Sequence, residues 1–476
     1  MRATAFWLTL ILLLVVTNLT TFFVMRQESS QEKAEVAGDE NTMFREIEEQ
    51  ELEKADLIFE VMDILKNEYV EPVHTSDLIE GAVKGMMDSL DDPQSAYLDP
   101  EYLEELMMET EGYFSGIGVR VTEVENRVVV LEVLPDTPSE EVGLERGDRI
   151  RKVDGEELED HTLEEAVDRM RGEEGTEVQV TVDRPGSTDP LSFDIKRGQI
   201  RTQTVEHDWL EEGIGYMEIG NFDRRTGEEV KDVLQKMEDE GLQGLVLDLR
   251  YNPGGLLDQA LEVADIFLPQ GVITSLVGRD DEVISTYQAQ GESRPYPLAV
   301  LINEESASGS EIVAGALQDH GEAVLVGEST FGKATVQEID ENLTEGGLRY
   351  TIARYVTPDG RDLHEEGLLP DYKVEASRVF SYYRYLIPET LERGDQGESV
   401  LLLQEMLEVI GHEVDLTREF DEQTAEALRA FQREQGLASE GVFNEITWLY
   451  LREEVDKRVM DDDPQINKAL EIIKTR

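Results

Sequence analysis

The chain has 476 residues, which is too long for one ordinary domain and suggests about three. It carries 106 acidic and 43 basic residues, giving a formal net charge of −63. This balance argues against binding of DNA or RNA, because phosphate backbones are bound by clustered Lys and Arg. The chain has no cysteine, which excludes disulfides and thiolate metal sites.

The amino terminus carries an uncharged apolar stretch over residues 3–25. About 20 such residues are needed to cross the hydrocarbon core of a bilayer. Arg26 and Glu28 follow it closely, where a cleaved signal peptide would have small residues. We therefore expect an uncleaved transmembrane signal-anchor over 1–26 and an acidic linker over 27–50. The acidic residues after the span favour a single-pass protein whose bulk lies outside the cytoplasm.

Residues 51–108 have apolar residues at helical spacing, as in Leu57, Val61 and Ile64. Further helical patterns cover Leu78–Leu90 and Pro100–Glu109. This region predicts a small helical segment. It is also our candidate for the contact of a homodimer.

Residues 109–197 change to the alternating pattern of β-strands, over Gly116–Val121, Val128–Val133 and Val178–Val182. The sequences YFSGIGVRV and LPDTPSEEVGLERGDRIRKVDG in this region resemble a PDZ domain. The resemblance implies that one loop offers backbone N–H groups to the C-terminal carboxylate of a peptide, which then adds as a strand to the sheet edge. That loop consists of Ser115, Gly116, Ile117, Gly118 and Val119.

Residues 198–375 alternate between apolar strands and helices, which predicts a layered α/β core. The predicted strands are Gly215–Ile219, Leu245–Leu249, Ala299–Ile302, Ala323–Val326 and Tyr350–Arg354. The predicted helices are Glu228–Glu238, Leu256–Phe267 and Gly309–Gln318. Together with the other regions, this predicts a multidomain fold of α/β and α+β type.

One strand of this core, in LINEESASGSEIVAGALQD, runs through small residues into a helix. A serine at this helix start lies beside unused backbone N–H groups that can stabilise an oxyanion. On its own the pattern is equally that of an ordinary N-cap, in which Ser306 or Ser308 accepts from the helix N–H groups. A catalytic hydroxyl also needs a base.

None of the six histidines is well placed to be that base. His320 lies about three turns along the helix, and His364 has no residue beside it that would orient its ring. Lys333 has no acidic residue within four positions on either side, which is unusual in so acidic a chain. A lysine acts as a base only when neutral, and burial lowers its pKa from the ordinary value of about 10.4.

The motifs DLRYNPGG, SASGSEIVAGALQD, VGESTFGKATVQ, YVTPDGR and GLLPD occur in this order between residues 213 and 371. This span resembles the carboxy-terminal processing peptidases, also named tail-specific proteases, of family S41. The resemblance implies that Ser308 is the nucleophile, Lys333 the general base, and Gln337 the residue that holds the lysine amine. Asp248 and Arg250 are then structural.

The same resemblance implies an oxyanion hole formed by backbone N–H groups. One donor is Gly309, and the other is a glycine of the Asn252–Gly255 turn, either Gly254 or Gly255. No metal or cofactor is expected.

The carboxy-terminal region is predicted to comprise a connector over 376–392, a domain over 393–455 and a tail over 456–476. Leu-Gln and Phe-Gln pairs on successive helices resemble the three-helix peptidoglycan-binding domain, which makes peptidoglycan a candidate partner. Glu440 and Asn444 depart from the Asp and Gly of that family.

These features predict a membrane-anchored, extracytoplasmic serine endopeptidase that cleaves exported proteins near their C-termini. The PDZ domain would recognise the substrate or gate its access. One alternative is a non-catalytic adaptor that uses only the PDZ and wall-binding domains. Another is a phosphate-binding loop at Gly327–Lys333, which is disfavoured because Ala334 cannot ligate Mg²⁺.

Overall fold

The computed structural model describes residues 49–476 except 125–126, 159–160, 202, 292–293, 377–378 and 380–389. The predicted signal-anchor therefore lies outside the described residues, as does nearly all of the predicted acidic linker. Among the helices that are described, none is both long and apolar enough to cross a membrane.

The helices are α1 (Glu49–Glu68), α2 (Thr75–Asp88), α3 (Pro100–Glu111), α4 (Pro138–Val142), α5 (Leu163–Met170), α6 (Thr226–Asp239), α7 (Leu257–Phe267), α8 (Gly309–Asp319), α9 (Glu398–Val409), α10 (Glu422–Glu434), α11 (Glu445–Asp462) and α12 (Pro464–Thr475). The strands are β1 (Ala96–Leu98), β2 (Tyr113–Gly116), β3 (Val119–Val124), β4 (Arg127–Val133), β5 (Arg149–Val153), β6 (Glu156–Glu157), β7 (Glu177–Asp183), β8 (Leu191–Lys196), β9 (Gly198–Arg201), β10 (Val205–Glu211), β11 (Ile214–Ile219), β12 (Gly244–Asp248), β13 (Gly271–Val277), β14 (Val283–Ala289), β15 (Leu298–Ile302), β16 (Ala323–Gly327), β17 (Thr335–Asp340), β18 (Gly347–Val356) and β19 (Tyr372–Lys373).

Residues up to Tyr97 form a unit of their own, in which the described part contains α1 and α2. Helix α1 exposes apolar side chains, including Leu57, Phe59 and Ile64. Self-association through this segment stays a prediction.

The predicted PDZ region folds as an antiparallel sheet in the order β3-β4-β5-β7-β8, with β6 paired to β5. Strand β4 alternates: Val128 and Val130 lie in the core of this domain. In the described part of the chain β3 is an edge strand, so one side of its backbone is open to pairing. The chain enters the domain through β2 and leaves it through β9, and these two strands pair as an antiparallel ribbon.

The core contains a sheet in the order β10-β11-β12-β15-β16-β19. All neighbouring pairs are parallel except β10 with β11. Leu245 and Leu247 point to one face and pack with the apolar sides of α6, α7 and α8. Val246, between them, points to the other face. The layered α/β arrangement expected from the alternating pattern is therefore present.

A second, antiparallel sheet contains β17, β18, β13 and β14. Its strand β17 starts two residues after Lys333. The pairing of β17 with β18 places Gln337 opposite Thr351 and Ile339 opposite Arg349. The sequence pattern predicted β18 but not the other three strands.

Helices α9, α10 and α11 form the carboxy-terminal domain around one apolar cluster. Two fully buried glutamines take equivalent positions in its two halves. Gln404 donates to Thr424 and accepts from the backbone of Arg418. Gln432 donates to Thr447 and accepts from the backbone of Gly441.

The carboxy-terminal domain packs on the outer face of the PDZ domain. Val129 of β4 is fully buried, and it belongs to the apolar cluster of the carboxy-terminal domain. Arg146 donates to the Glu453 carboxylate and to the Leu449 carbonyl of α11. Apolar and charged contacts thus join the two domains.

The last helix, α12, lies within the predicted tail over 456–476. Its apolar residues recur at helical spacing and pack on the outer face of the central sheet; they are Ile466, Ala469, Ile472 and Ile473. Asp463 caps the helix and forms a buried ion pair with Arg250. Arg250 also pairs with Asp248 at 2.6 Å, so that both side chains are held in buried ion pairs.

We predict that Asp463→Ala destabilises the core by roughly 3–5 kcal/mol, because it leaves the buried Arg250 guanidinium without one of its two carboxylates. The measurement is urea unfolding followed by circular dichroism. Lys474→Ala is the matched control on the same helix, since it removes an exposed pair with Glu211 and should cost less than about 1 kcal/mol. Equal losses for the two variants would contradict a structural role for the buried pair.

Candidate active site

The site lies at the carboxyl ends of the adjacent parallel strands β12 and β15. Open α/β sheets bind ligands at this edge, because the loops that follow neighbouring strands meet there. A cleft of about 400 Å³ opens at this edge. It is lined by all six residues predicted for the core site, which are Ser308, Lys333, Gln337, Gly309, Gly254 and Gly255.

Ser308 is at the sharp turn between β15 and α8, with φ 51° and ψ −110°. A positive φ is uncommon for a residue with a side chain, and it resembles the strained strand-to-helix turn that presents the serine of other hydrolases. The neighbouring loop holds the turn in place. The Asn252 carbonyl accepts from Ala307 N at 3.0 Å and from Ser310 Oγ at 2.9 Å.

Gly254 approaches Ser308 so closely that no side chain fits between them. A Cβ built on Gly254 would lie 2.8 Å from Ser308 Cβ and 2.9 Å from Gly309 N. Its φ is +105°, a conformation that residues with side chains rarely adopt. Glycine at this position therefore permits the contact between the two loops.

The predicted oxyanion donors differ in their hydrogen bonds. Gly254 N donates to Asn252 Oδ1 at 2.8 Å, so that N–H is already used. Gly309 N is at the first position of α8, where an N–H has no partner within the helix. Within the described part of the chain, the N–H groups of Gly309 and Gly255 donate to no other group. Both remain able to bind a substrate oxygen.

The loop that carries Lys333 is fixed to the start of α8 by one buried carboxylate. Glu311 Oε2 accepts from Ser308 N and from Lys333 N, both at 2.9 Å. Its Oε1 accepts from Gly332 N at 2.8 Å and from the Thr330 hydroxyl. Glu311 is completely buried, so these bonds are not shared with solvent. A single side chain thus connects the segment that carries Ser308 to the segment that carries Lys333.

Tyr355 of β18 adds a second connection between these segments. Its hydroxyl lies 2.8 Å from the Lys333 carbonyl and 3.2 Å from the Ser308 carbonyl. Burial, and then the nearby Glu311 carboxylate, raise the pKa of Tyr355 well above its usual value. The hydroxyl therefore stays protonated and keeps donating.

Gln337 lies on β17 and lines the cleft together with Thr335 and Ile339. These three residues alternate along the strand, so their side chains share one face. Gln337 Nε2 donates to Thr351 Oγ1 at 3.3 Å on the paired strand. Its amide is thereby placed on the same wall of the cleft as Lys333.

Among the described residues, neither a histidine nor a group of metal-ligating side chains is found at the cleft. No histidine is among the described residues that line it, and His320 instead contacts the Val272 carbonyl at 2.8 Å. Over the described residues, no group of His, Asp or Glu could hold a metal ion.

The predicted peptide-binding loop runs from the end of β2 to the start of the edge strand β3. Gly118 has φ +84°, and a Cβ there would lie 2.3 Å from Thr137 Cβ. Ile117 is buried in the core of the domain, and its carbonyl accepts from Ser139 N. Ser115 and Gly116 are at the end of β2, and Val119 begins β3. The loop is thus held in place beside an open strand edge.

Sequence reasoning missed Glu311, Asn252 and Tyr355. A charged residue on an otherwise apolar helix, as Glu311 is on α8, is a signal that could have been used. The three-residue spacing from Ser308 instead reads as a local helix-capping pair. The spacing of residues in the sequence does not predict that Glu311 also accepts hydrogen bonds from the distant loop that carries Lys333.

Four family models match the chain. Peptidase family S41 matches residues 213–374, and a PDZ domain matches 115–196. A putative peptidoglycan binding domain matches 396–451. The activating protease CtpB N-terminal domain matches 14–102, a likeness that sequence reasoning had not suggested. The central match defines a class of peptidases.

Relatives of known description extend this likeness over the whole chain. The carboxy-terminal processing protease CtpA of Bacillus subtilis is 31% identical over 470 residues, covering 98% of each chain. A carboxy-terminal-processing protease of Bartonella bacilliformis is 40% identical over 332 residues, covering 68% of this chain and 76% of that protein. The chain therefore belongs to the carboxy-terminal processing proteases of peptidase family S41, which are serine-type enzymes.

Solved structures with similar folds include a photosystem II D1 C-terminal processing protease, which is 29% identical with a TM-score of 0.42. That match covers 67% of this chain and 86% of the other. A putative S41 protease from Bacteroides fragilis is 17% identical with a TM-score of 0.41, covering 66% and 89%.

We predict that Gly254→Ala lowers kcat by about 100-fold, because the added methyl group would displace the nucleophile turn. Gly241→Ala is the matched control: its φ of +102° is nearly the same, but nothing lies within 4 Å of the added Cβ. The control separates backbone strain from the contact with Ser308. Peptide hydrolysis and circular dichroism are measured for both. Full activity of Gly254→Ala would show that the close approach is not needed.

Proposed function

We propose that the chain is an extracytoplasmic endopeptidase, anchored in the membrane by residues 1–26, that cleaves exported proteins near their C-termini. The observation that carries this proposal is the shared cleft. Ser308 belongs to one segment of the chain, and Lys333 and Gln337 belong to another. All three residues line the cleft beside the unused N–H groups of Gly309 and Gly255.

In the proposed reaction the Ser308 hydroxyl attacks the scissile carbonyl while neutral Lys333 accepts its proton. The N–H groups of Gly309 and Gly255 stabilise the oxyanion of the tetrahedral intermediate. Lys333 then returns the proton to the leaving amine, which gives an acyl-enzyme on Ser308. Water hydrolyses this ester with Lys333 again as the base. Gln337 orients the lysine amine.

The PDZ domain is proposed to bind the C-terminal segment of the substrate. The open edge of β3 supports this role, because an extended peptide can add there as a further strand. The loop over 115–119 would receive the terminal carboxylate, and the domain would thereby deliver the substrate or gate the cleft. The carboxy-terminal domain is proposed to bind peptidoglycan. Membership of an enzyme family disfavours the alternative of a non-catalytic adaptor.

We predict that Ser308→Ala lowers peptide hydrolysis by roughly 10⁴-fold or more, since the acyl-enzyme can no longer form. Hydrolysis is measured on a folded protein, as checked by circular dichroism. Ser275→Ala is a suitable control, because this serine lies on β13 outside the cleft and bonds only an exposed Thr286. Retained hydrolysis by Ser308→Ala would exclude this nucleophile.

We predict that kcat/KM rises with pH and then levels off, because only unprotonated Lys333 can accept the proton. Lys333→Ala should remove both the activity and this pH dependence. Lys231→Ala is the control, since Lys231 forms an exposed pair with Glu262 at 2.6 Å. A flat wild-type profile from about pH 5 to about pH 9 would contradict a lysine base.

A further inference from the structure

Among the described residues that line the catalytic cleft, the one permanent charge, on Arg349, is opposite in sign to the net charge of the chain. The chain has 106 acidic and 43 basic residues. Yet the described residues lining the cleft include two basic side chains, Lys333 and Arg349, and no Asp or Glu. In so acidic a protein, a negatively charged group of a substrate is repelled less in a cleft lined in this way than at an acidic surface.

The strand register gives the position of Arg349 relative to the predicted catalytic residues. Arg349 on β18 lies opposite Ile339 of β17, two residues beyond Gln337. Two residues of a strand span about 7 Å. An extended substrate whose scissile bond lies at Ser308 can therefore have a group at Arg349 within a few residues of that bond.

Arg349 and Lys333 cannot exchange roles. A lysine that acts as a base must be neutral, and a carboxylate bound beside it would favour its protonated form. An arginine stays charged, and it binds carboxylates through two parallel N–H···O bonds. A substrate carboxylate paired with the Arg349 guanidinium is therefore bound by a group that stays charged, while Lys333 can be neutral.

We propose that Arg349 is a specificity-determining residue that binds a carboxylate of the substrate within a few residues of the scissile bond. The proposal rests on the proposed function and adds to it a second carboxylate site, separate from the PDZ loop. Arg349 also has an interaction of its own within the protein. Its five N–H donors allow it to bind a further acceptor.

The test compares three forms of one peptide substrate: a free C-terminal acid, the C-terminal amide, and an amide with one Asp near the new terminus. We expect the wild-type enzyme to have a kcat/KM about 10- to 100-fold higher for the acid than for the plain amide. A preference for the Asp-containing amide alone would identify a side-chain carboxylate as the bound group. Equal rates for all three peptides would overturn the proposal.

The variant Arg349→Met should bring the ratio of the acid and amide rates close to one. Arg349→Lys should keep part of the preference, because a single ammonium cannot form the paired bonds of a guanidinium. Arg354→Met is the matched control on the same strand; Arg354 pairs with Asp281 and Asp362 and does not line the cleft. General damage to the site lowers both rates together and leaves the ratio unchanged. A preserved ratio in Arg349→Met therefore overturns the proposal.

A further variant separates the cleft from the PDZ loop, which also receives carboxylates in the proposed function. Gly118→Ala disturbs that loop, because the added Cβ would lie 2.3 Å from Thr137 Cβ. The acid preference on short peptides should persist in Gly118→Ala and disappear in Arg349→Met. The reverse result would assign the preference to the PDZ loop. Hydrolysis by Ser308→Ala would instead refute the proposed function itself.

Discussion

The active site depends on the buried carboxylate of Glu311. It accepts hydrogen bonds from Ser308 N, from Gly332 N and from Lys333 N, and so connects the start of α8 to the loop that carries Lys333. Burying a charge costs several kcal/mol. Charge-assisted hydrogen bonds offset this cost only when both oxygens of the carboxylate accept well-formed hydrogen bonds. Since the donors come from segments 20 or so residues apart, the carboxylate favours only the fold that brings both together.

The position of this carboxylate also bears on the proposed role of Lys333 as a base in so acidic a protein. Glu311 is close to Lys333, but its oxygens are occupied by backbone and hydroxyl donors. Much of its charge is thereby balanced locally by fixed N–H dipoles. The described residues that line the cleft include no Asp or Glu. The acidic side chains of the described residues therefore lie outside the lining of this cleft.

The sequence was sufficient to predict the parts of the fold that are buried on both sides. The predicted strand Leu245–Leu249 differs by one residue from Gly244–Asp248, because a strand covered on both faces is a continuous apolar run. Helix α12 was missed, since its polar residues make it look solvent-exposed unless the sheet it covers is known. The same holds for the pairing of Arg250 with Asp463, which are 213 residues apart. For the site, sequence motifs identified the residues that line the cleft, but not Glu311, whose partners are set by tertiary structure.

The contact between the PDZ domain and the carboxy-terminal domain restricts how the PDZ domain can move. The PDZ domain is connected to the core by the ribbon of β2 and β9. It is connected a second time through the carboxy-terminal domain, whose helix α11 ends at Asp462, directly before Asp463 and its ion pair with Arg250. If the PDZ domain rotated about the ribbon alone, Val129 would lose its contacts with the carboxy-terminal domain, and Arg146 would separate from Glu453. Any large rotation must therefore move both domains as one body or break this second attachment, so that a displacement of the carboxy-terminal domain also displaces the open edge strand β3.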